Sequence, residues 1–133
     1  MSHTARILII EDSLIFQKTL KKRLESRGYQ TMIADDGLEG LALVKREKPD
    51  LVILDLILPG MDGHKICRLL KFNRETMDIP IVMFTSRDLD EDAEMARQCH
   101  ADAFIVKTIR PEVMMDVIKK LLNRKEATEQ TSV

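Results

Sequence analysis

Five short apolar runs recur along the chain: ARILII (5 to 10), YQTMIA (29 to 34), DLVILD (50 to 55), IPIVMFT (79 to 85) and DAFIVK (102 to 107). They show no polar alternation, and that feature narrows the fold more than any other. A strand with one face in water alternates apolar and polar residues. An unbroken apolar run needs cover on both faces, which is the condition of a parallel sheet with helices on each side. The segments between the runs, roughly 13 to 27, 36 to 47, 63 to 73, 88 to 99 and 111 to 124, carry apolar residues at helical spacing. The pattern is five βα units, and the expected class is α/β with a doubly wound five-stranded parallel sheet.

The helix ends are marked in the sequence. Ser13 is placed to cap the first helix and Gly28 to end it. Asp36 with Glu39, and Asp88 with Glu91, have the spacing of capping boxes with Asp in the Ser/Thr place. Pro111 suits the first turn of the last helix. At 133 residues the chain is one domain by length and can bury a core without disulfides or a structural metal. The expected domain runs from 5 to 124, and the segment Lys125 to Val133, KEATEQTSV, lacks apolar periodicity and reads as a disordered tail.

With 21 basic and 22 acidic residues the formal charge is −1, so no global field draws nucleic acid or anionic lipid, and neither kind of partner is expected. Cys67 and Cys99 fall in predicted helices without CxxC spacing, and His3, His64 and His100 lack zinc-type spacing. No signal peptide or long apolar span is expected, which points to a reduced, cytoplasmic protein.

In PDLVILDLILPGMDG (49 to 63) one carboxylate, Asp55, stands inside an otherwise apolar run from Leu51 to Leu58. Asp62-Gly63 beyond it is an ordinary turn former, but a carboxylate among aliphatic side chains is costly unless it is paired, hydrogen-bonded or metal-bound. In an open parallel sheet, ligands bind beyond the carboxyl ends of the strands, near the reversal in strand order. The polar residues at those ends are Glu11 and Asp12, Asp55, Thr85 and Lys107. If their strands are neighbours, three carboxylates, a hydroxyl and an ammonium meet in one pocket. Three carboxylates raise one another's pKa values unless a cation sits among them, and an all-oxygen donor set suits Mg²⁺. The cation and Lys107 together balance the negative charge, leaving a pocket able to hold a phosphoryl group, with Thr85 as a further donor. Asp55, the most deeply placed, is the natural nucleophile for forming an acyl phosphate. Taken singly, Thr85 is a strand-end hydroxyl and Lys107 a solvated charge; only their joint placement argues for chemistry.

In order and spacing, IIEDS, LVILDLILPGMDG, MFTS and FIVK resemble the receiver domain of two-component response regulators, over residues 5 to 124. The resemblance implies a flavodoxin-like (βα)5 fold with sheet order 2-1-3-4-5, in the manner of single-domain chemotaxis regulators. It implies phosphorylation at Asp55, with Mg²⁺ held by Asp12, Asp55 and the backbone carbonyl of Ile57, and Glu11 acting mainly through water. Thr85 and Lys107 would bind the phosphoryl group, and Phe104 would report the state of Thr85. The implied protein is a signalling switch rather than an enzyme, although self-phosphorylation from small donors and autodephosphorylation are expected. The phosphoryl group would come from a histidine kinase or phosphotransfer protein. The output would be altered partner binding, or a phosphorylation-linked homodimer, through the face of helix 4, strand 5 and helix 5.

Three positions depart from the family pattern. Thr108 follows Lys107 where proline is usual, so the Lys107-Thr108 bond is expected to be trans. His100 stands where glycine commonly ends the fourth helix, and a positive φ is expected there. Ile57 places a branched apolar side chain beside the mouth of the pocket. On the first helix, Phe16, Leu20 and Leu24 form the core stripe, which turns Leu14 outward as a docking contact for the phosphodonor and leaves Lys18, Lys21 and Lys22 in solvent. The apolar arc of the last helix spreads as far as Met115 and Leu122, wider than a core stripe needs, and these two are the expected contacts for an output partner.

Two other classes compete. A flavodoxin-like cofactor binder would need a phosphate-cradling first loop, and Glu11-Asp12 would repel a phosphate; the chain has no Trp and one Tyr for stacking a flavin. A receiver-shaped binding module acting without phosphorylation, or a phosphorelay intermediate, would share every motif.

Overall fold

Each apolar run becomes a strand and each amphipathic segment a helix in the computed structural model, which describes the backbone of residues 4–87 and 89–131 and side chains as far as 124. The elements are β1 (Arg6–Ile10), α1 (Leu14–Ser26), β2 (Gln30–Ala34), α2 (Gly37–Glu47), β3 (Leu51–Asp55), α3 (Gly63–Lys71), β4 (Ile81–Thr85), α4 (Asp90–Gln98), β5 (Ala103–Val106) and α5 (Pro111–Thr131). The strands form one parallel sheet in the order β2-β1-β3-β4-β5. The order reverses between β1 and β3, which pair with Ile10 opposite Leu54. The crevice beyond that point is where a fold of this kind places a ligand.

Because successive strand residues face opposite sides, the apolar strands feed two cores. Leu8, Ile10, Val52, Leu54, Ile81 and Met83 pack with Val44, Ile66, Leu70 and Ala96 from α2, α3 and α4. Ile7, Ile9, Leu51, Ile53, Val82 and Phe84 pack with Leu20, Leu24, Met114 and Ile118 from α1 and α5. At about 1.5–3 kcal/mol for each fully buried large aliphatic side chain, these two layers dominate the stability of the fold.

The helix ends follow the sequence with three corrections. Ser13 accepts a hydrogen bond from the Phe16 amide, and Gly28 takes φ 90 just past the end of α1. Asp36 Oδ1 accepts from the Glu39 amide at 2.8 Å, but the Glu39 carboxylate returns to the Asp35 amide rather than that of Asp36, so the box is displaced by one residue. The box expected of Asp88 with Glu91 rests on Asp88, which lies outside the described residues; the N-cap of α4 is Leu89, without a side-chain cap bond. Asp90 and Glu91 in the first turn complement the helix dipole there. At its other end α4 closes as expected: His100 has φ 66 and its amide donates to Arg97 O, while the Ala101 amide donates to Ala96 O. This is a Schellman turn with histidine in the left-handed place.

The second correction concerns α5, which runs to Thr131 and into the segment from Lys125 where a disordered tail was expected. Lys, Glu, Ala and Gln are good helix formers, so the backbone can continue helical without an apolar stripe. The third concerns Met115 and Leu122, expected on an exposed edge: they are 4% and 8% exposed and belong to the α1–α5 core. The described backbone has no cis peptide, so Lys107-Thr108 is trans as expected. None of the described helices is long and apolar enough to cross a membrane.

Candidate functional site

The carboxyl edge of the sheet gathers the polar strand ends. Glu11 follows β1 and is buried, Asp12 beside it is exposed, and Asp55, the last residue of β3, is buried. Thr85 ends β4 fully buried, and Lys107 follows β5 with its side chain largely enclosed. Register places them: Asp55 lies opposite Phe84, Thr85 lies opposite Val106, and the Lys107 amide donates to Thr85 O. The floor is fixed by Gly63, whose amide donates to Leu56 O at 3.0 Å. A Cβ on Gly63 would stand 2.5 Å from Asp55 O and 2.8 Å from Leu56 Cα, so only glycine lets the start of α3 rest on the backbone of Asp55.

Lys107 Nζ lies 2.6 Å from Glu11 Oε1 and 3.4 Å from Asp55 Oδ2. It also stands over the Phe16 ring at 4.1 Å, and Phe16 meets Phe84 edge-on, so an aromatic face adds to what holds the ammonium. Burial, followed by the neighbouring Glu11 carboxylate, pushes Asp55 up to about 7; Lys107 and the Ile57 amide only partly oppose this. Burial also raises Glu11, but Lys107, Asp55 and the Ser13 amide together hold it below the usual carboxylate range.

The donor set fits a hard divalent cation. Carboxylate oxygens of Glu11, Asp12 and Asp55 lie within 4.8 Å of one another. Glu11 Oε1 is buried and accepts no well-aligned hydrogen bond even though Lys107 is close, which leaves a lone pair free. All-oxygen ligation of this kind suits Mg²⁺. Ile57 donates its amide to Asp55 Oδ1 at 3.2 Å and leaves its side chain 50% exposed beside the pocket.

Of the other residues singled out in the sequence, Thr85 Oγ1 accepts the Arg87 amide at 3.1 Å. Phe104 is half-buried and packs against the core under α2, α3 and α4. Leu14 is 66% exposed on α1, with Ile15 exposed beside it, and the fold does not bring Met115 or Leu122 to any surface near the site.

Sequence reasoning missed two groups. Gln17 is buried and its side-chain amide donates to Glu11 O and to Asp35 Oδ1, tying the acidic loop to the loop after β2. A signal was present, since Gln17 stands three residues before Leu20 on the core face of α1. The second group is Arg87, Asp92 and His64. Arg87 grips the buried Asp92 with two hydrogen bonds of 2.7 and 2.9 Å, and His64 Nε2 lies 3.5 Å from the same carboxylate. Arg87 holds Asp92 below the usual carboxylate range. No spacing rule joins residues from α3, the β4–α4 loop and α4.

Comparison with known proteins agrees with this architecture. A family model described as the response regulator receiver domain matches residues 7–119. Protein PilH of Pseudomonas aeruginosa is 34% identical over 118 residues, which are 89% of this chain and 98% of that protein. Other relatives, named as transcriptional regulators, are matched over about half their length, for example 56% of AfsQ1 of Streptomyces coelicolor. Among solved structures, a CheY-like receiver domain protein from Methanospirillum hungatei superposes with a TM-score of 0.88 at 29% identity, covering 95% of this chain and 99% of that one.

Proposed function

This chain belongs to the response regulator receiver domain family, and we propose that it is a phosphorylation-dependent switch with Asp55 as the acceptor. The observation that carries the reading is the meeting, at the sheet's reversal point, of a buried Asp55 with two further carboxylates and an ammonium that leans toward Glu11. A receiver of this kind takes its phosphoryl group from a histidine kinase or phosphotransfer protein, and the proposed switch spans residues 5 to 124.

Asp12, Asp55, the Ile57 carbonyl and Glu11, directly or through water, would hold Mg²⁺. When bound, the ion neutralises the carboxylates and the incoming phosphoryl oxygens. An Asp55 carboxylate oxygen then bonds to phosphorus as the bond to the donor's imidazole nitrogen, or to the acetate of acetyl phosphate, breaks and keeps its electron pair on the leaving group. Lys107, nearer Glu11 than Asp55, is free to meet a phosphoryl oxygen with little movement. The Thr85 hydroxyl uses an oxygen lone pair for the Arg87 amide, and its proton remains to be donated.

The exposed Leu14, with Ile15, offers the phosphodonor an apolar contact beside the pocket. Movement of Thr85 toward the phosphoryl group would open space for Phe104 and change the face of α4, β5 and α5. Met115 and Leu122 are buried, and α5 exposes Asp116, Lys119 and Lys120 instead.

Acetyl phosphate with Mg²⁺ tests the reading. The parent chain should gain a phosphoryl group seen by mass, and its amide NMR spectrum should shift around Asp55, Thr85 and α4. Asp55→Asn and Asp12→Ala should not take up phosphate. Labelling that persists in Asp55→Asn defeats the assignment. Uptake without any spectral change in α4, β5 or α5 removes the output face and leaves a phosphorelay intermediate.

A further inference from the structure

One oxygen of Asp92, in the first turn of α4, is approached by two groups. Arg87 Nη2 bonds Oδ1 at 2.9 Å while Arg87 Nε bonds Oδ2 at 2.7 Å, and His64 Nε2 stands 3.5 Å from the same Oδ1. Arg87 belongs to the loop after β4 and His64 to the start of α3, so this carboxylate joins three segments. Asp92 and His64 are each 3% exposed, and neither ring nitrogen of His64 has a hydrogen bond. A buried imidazole without a partner calls for a reason. An approach of about 0.6 Å would bring Nε2 to the ordinary hydrogen-bond length of about 2.9 Å. Arg87 is placed differently. Its side chain is 45% exposed, and with His64 and Asp92 it lines a cleft of about 390 Å³ between the β3–α3 loop and α4, so it has room to leave. Its backbone amide donates to Thr85 Oγ1 at 3.1 Å, so the hydroxyl expected to meet a phosphoryl group also holds the start of this loop. The N-cap of α4, Leu89, makes no side-chain cap bond, which leaves the grip of Arg87 on Asp92 as a side-chain tie between the loop and the helix.

With Asp55 as the acceptor, a reading on which this step rests, we infer that phosphorylation passes the Asp92 carboxylate from Arg87 to His64. The Thr85 hydroxyl turns toward the phosphoryl group and withdraws the acceptor of the Arg87 amide. The loop shifts, the guanidinium leaves Asp92 for the open cleft, and His64, with its proton on Nε2, donates to Oδ1. A buried carboxylate stripped of its partner without replacement is strongly destabilising, and His64 removes that penalty. Because Asp92 has one bonded partner in each state, α4 has two discrete positions rather than a continuous drift. The imidazole is a weaker partner than the two-pronged guanidinium, which suits a state that must reverse when the phosphoryl group is lost. Arg87, Asp92 and His64 are positioning residues, acting on α4 rather than on the reacting atoms. The signal reaches the first turn of α4 by this exchange, separately from any movement of Phe104.

The test follows the isotope-labelled full chain by NMR in Mg²⁺, with and without acetyl phosphate, while mass reports uptake at Asp55. In the parent, the Arg87 Nε proton should be protected from solvent exchange before phosphorylation, and the His64 Nε2 proton after it. Arg87→Met should move the amide signals of residues 89–99 toward their phosphorylated positions without any phosphodonor, because His64 is then the partner left to Asp92. His64→Leu should take up phosphate as the parent does yet lose most of the shift in 89–99. His64→Gln, which keeps a donor near the place of Nε2, should recover part of it. The exchange is refuted if the Arg87 proton stays protected while the α4 signals move, which would make its grip a static tie. It is also refuted if Arg87→Met leaves 89–99 at the unphosphorylated positions, or if folded His64→Leu shows the full α4 shift. A parent that takes up no phosphate defeats Asp55 as the acceptor, and Arg87→Met still decides whether Asp92 changes partners.

Discussion

Lys107 pairs with Glu11 at 2.6 Å and stands farther from Asp55, at 3.4 Å. Both carboxylates are buried, so removing the ammonium leaves a buried Glu11 anion without its cation, beside an Asp55 already pushed up to about 7. Lys107→Met is therefore expected to destabilise the metal-free protein by about 3 kcal/mol, and Mg²⁺ should restore part of the loss. Urea unfolding with and without Mg²⁺ measures both quantities. An equal loss in the two conditions would assign the effect to packing of the lysine stem on Phe16.

Gln17 holds the acidic loop without touching the acidic side chains of Glu11 or Asp12. Groups that support metal ligands from behind are typically worth about tenfold or more in affinity. Gln17→Leu should weaken Mg²⁺ binding by about tenfold in calorimetric titration while the protein remains folded. Unchanged affinity would mean that the loop holds its shape unaided.

Asp92 is buried under Arg87, and its carboxyl lies below the usual range. A carboxylate depressed on folding contributes stability that is present above its unfolded pKa, about 3.9, and lost as pH falls through the folded value. Asp92→Asn should thus cost about 1–2 kcal/mol near neutral pH, and the difference from the parent should shrink below about pH 4. Paired denaturant titrations at the two pH values check the sign.

His100 takes φ 66 and also packs edge-on against Phe72, with ring centroids 5.1 Å apart. Glycine would relieve the left-handed backbone but lose the ring contact. His100→Gly is expected to stabilise by less than about 1 kcal/mol, and His100→Val to destabilise, because a β-branched residue resists this φ. Unfolding midpoints of the three proteins rank them.

The strands, the acidic pocket, the left-handed His100 and the trans Lys107-Thr108 bond were legible in the sequence because each follows from local chemistry: apolar runs, charges at strand ends, a turn needing positive φ, and a missing proline. Met115 and Leu122 were not. A helix that shares one core with both the sheet and α1 buries more of its circumference than a single stripe, and periodicity cannot say how many neighbours a helix has. Gln17 was passed over because a polar residue on a core face carries no sign of the carbonyl waiting for it. The Arg87–Asp92–His64 group and the meeting of Cys67 with Cys99 depend on how α3 and α4 lie against each other, which is a property of the packed sheet and of no single segment.

The contact of Gly63 with Leu56 divides the chain after Asp55 into a fixed part and a free one. The amide of Gly63 is tied to Leu56 O, and its α-carbon rests against the backbone beneath Asp55, so residues 57–62 form a loop closed at its own neck. Within that loop Ile57, Pro59 and Gly60 face solvent, whereas Leu58 and Met61 pack on the core, so changes are most easily absorbed at these three exposed positions. Changes on the exposed side of the loop therefore alter the doorway above Asp55 while Asp55 itself stays in the same place relative to Glu11 and Lys107.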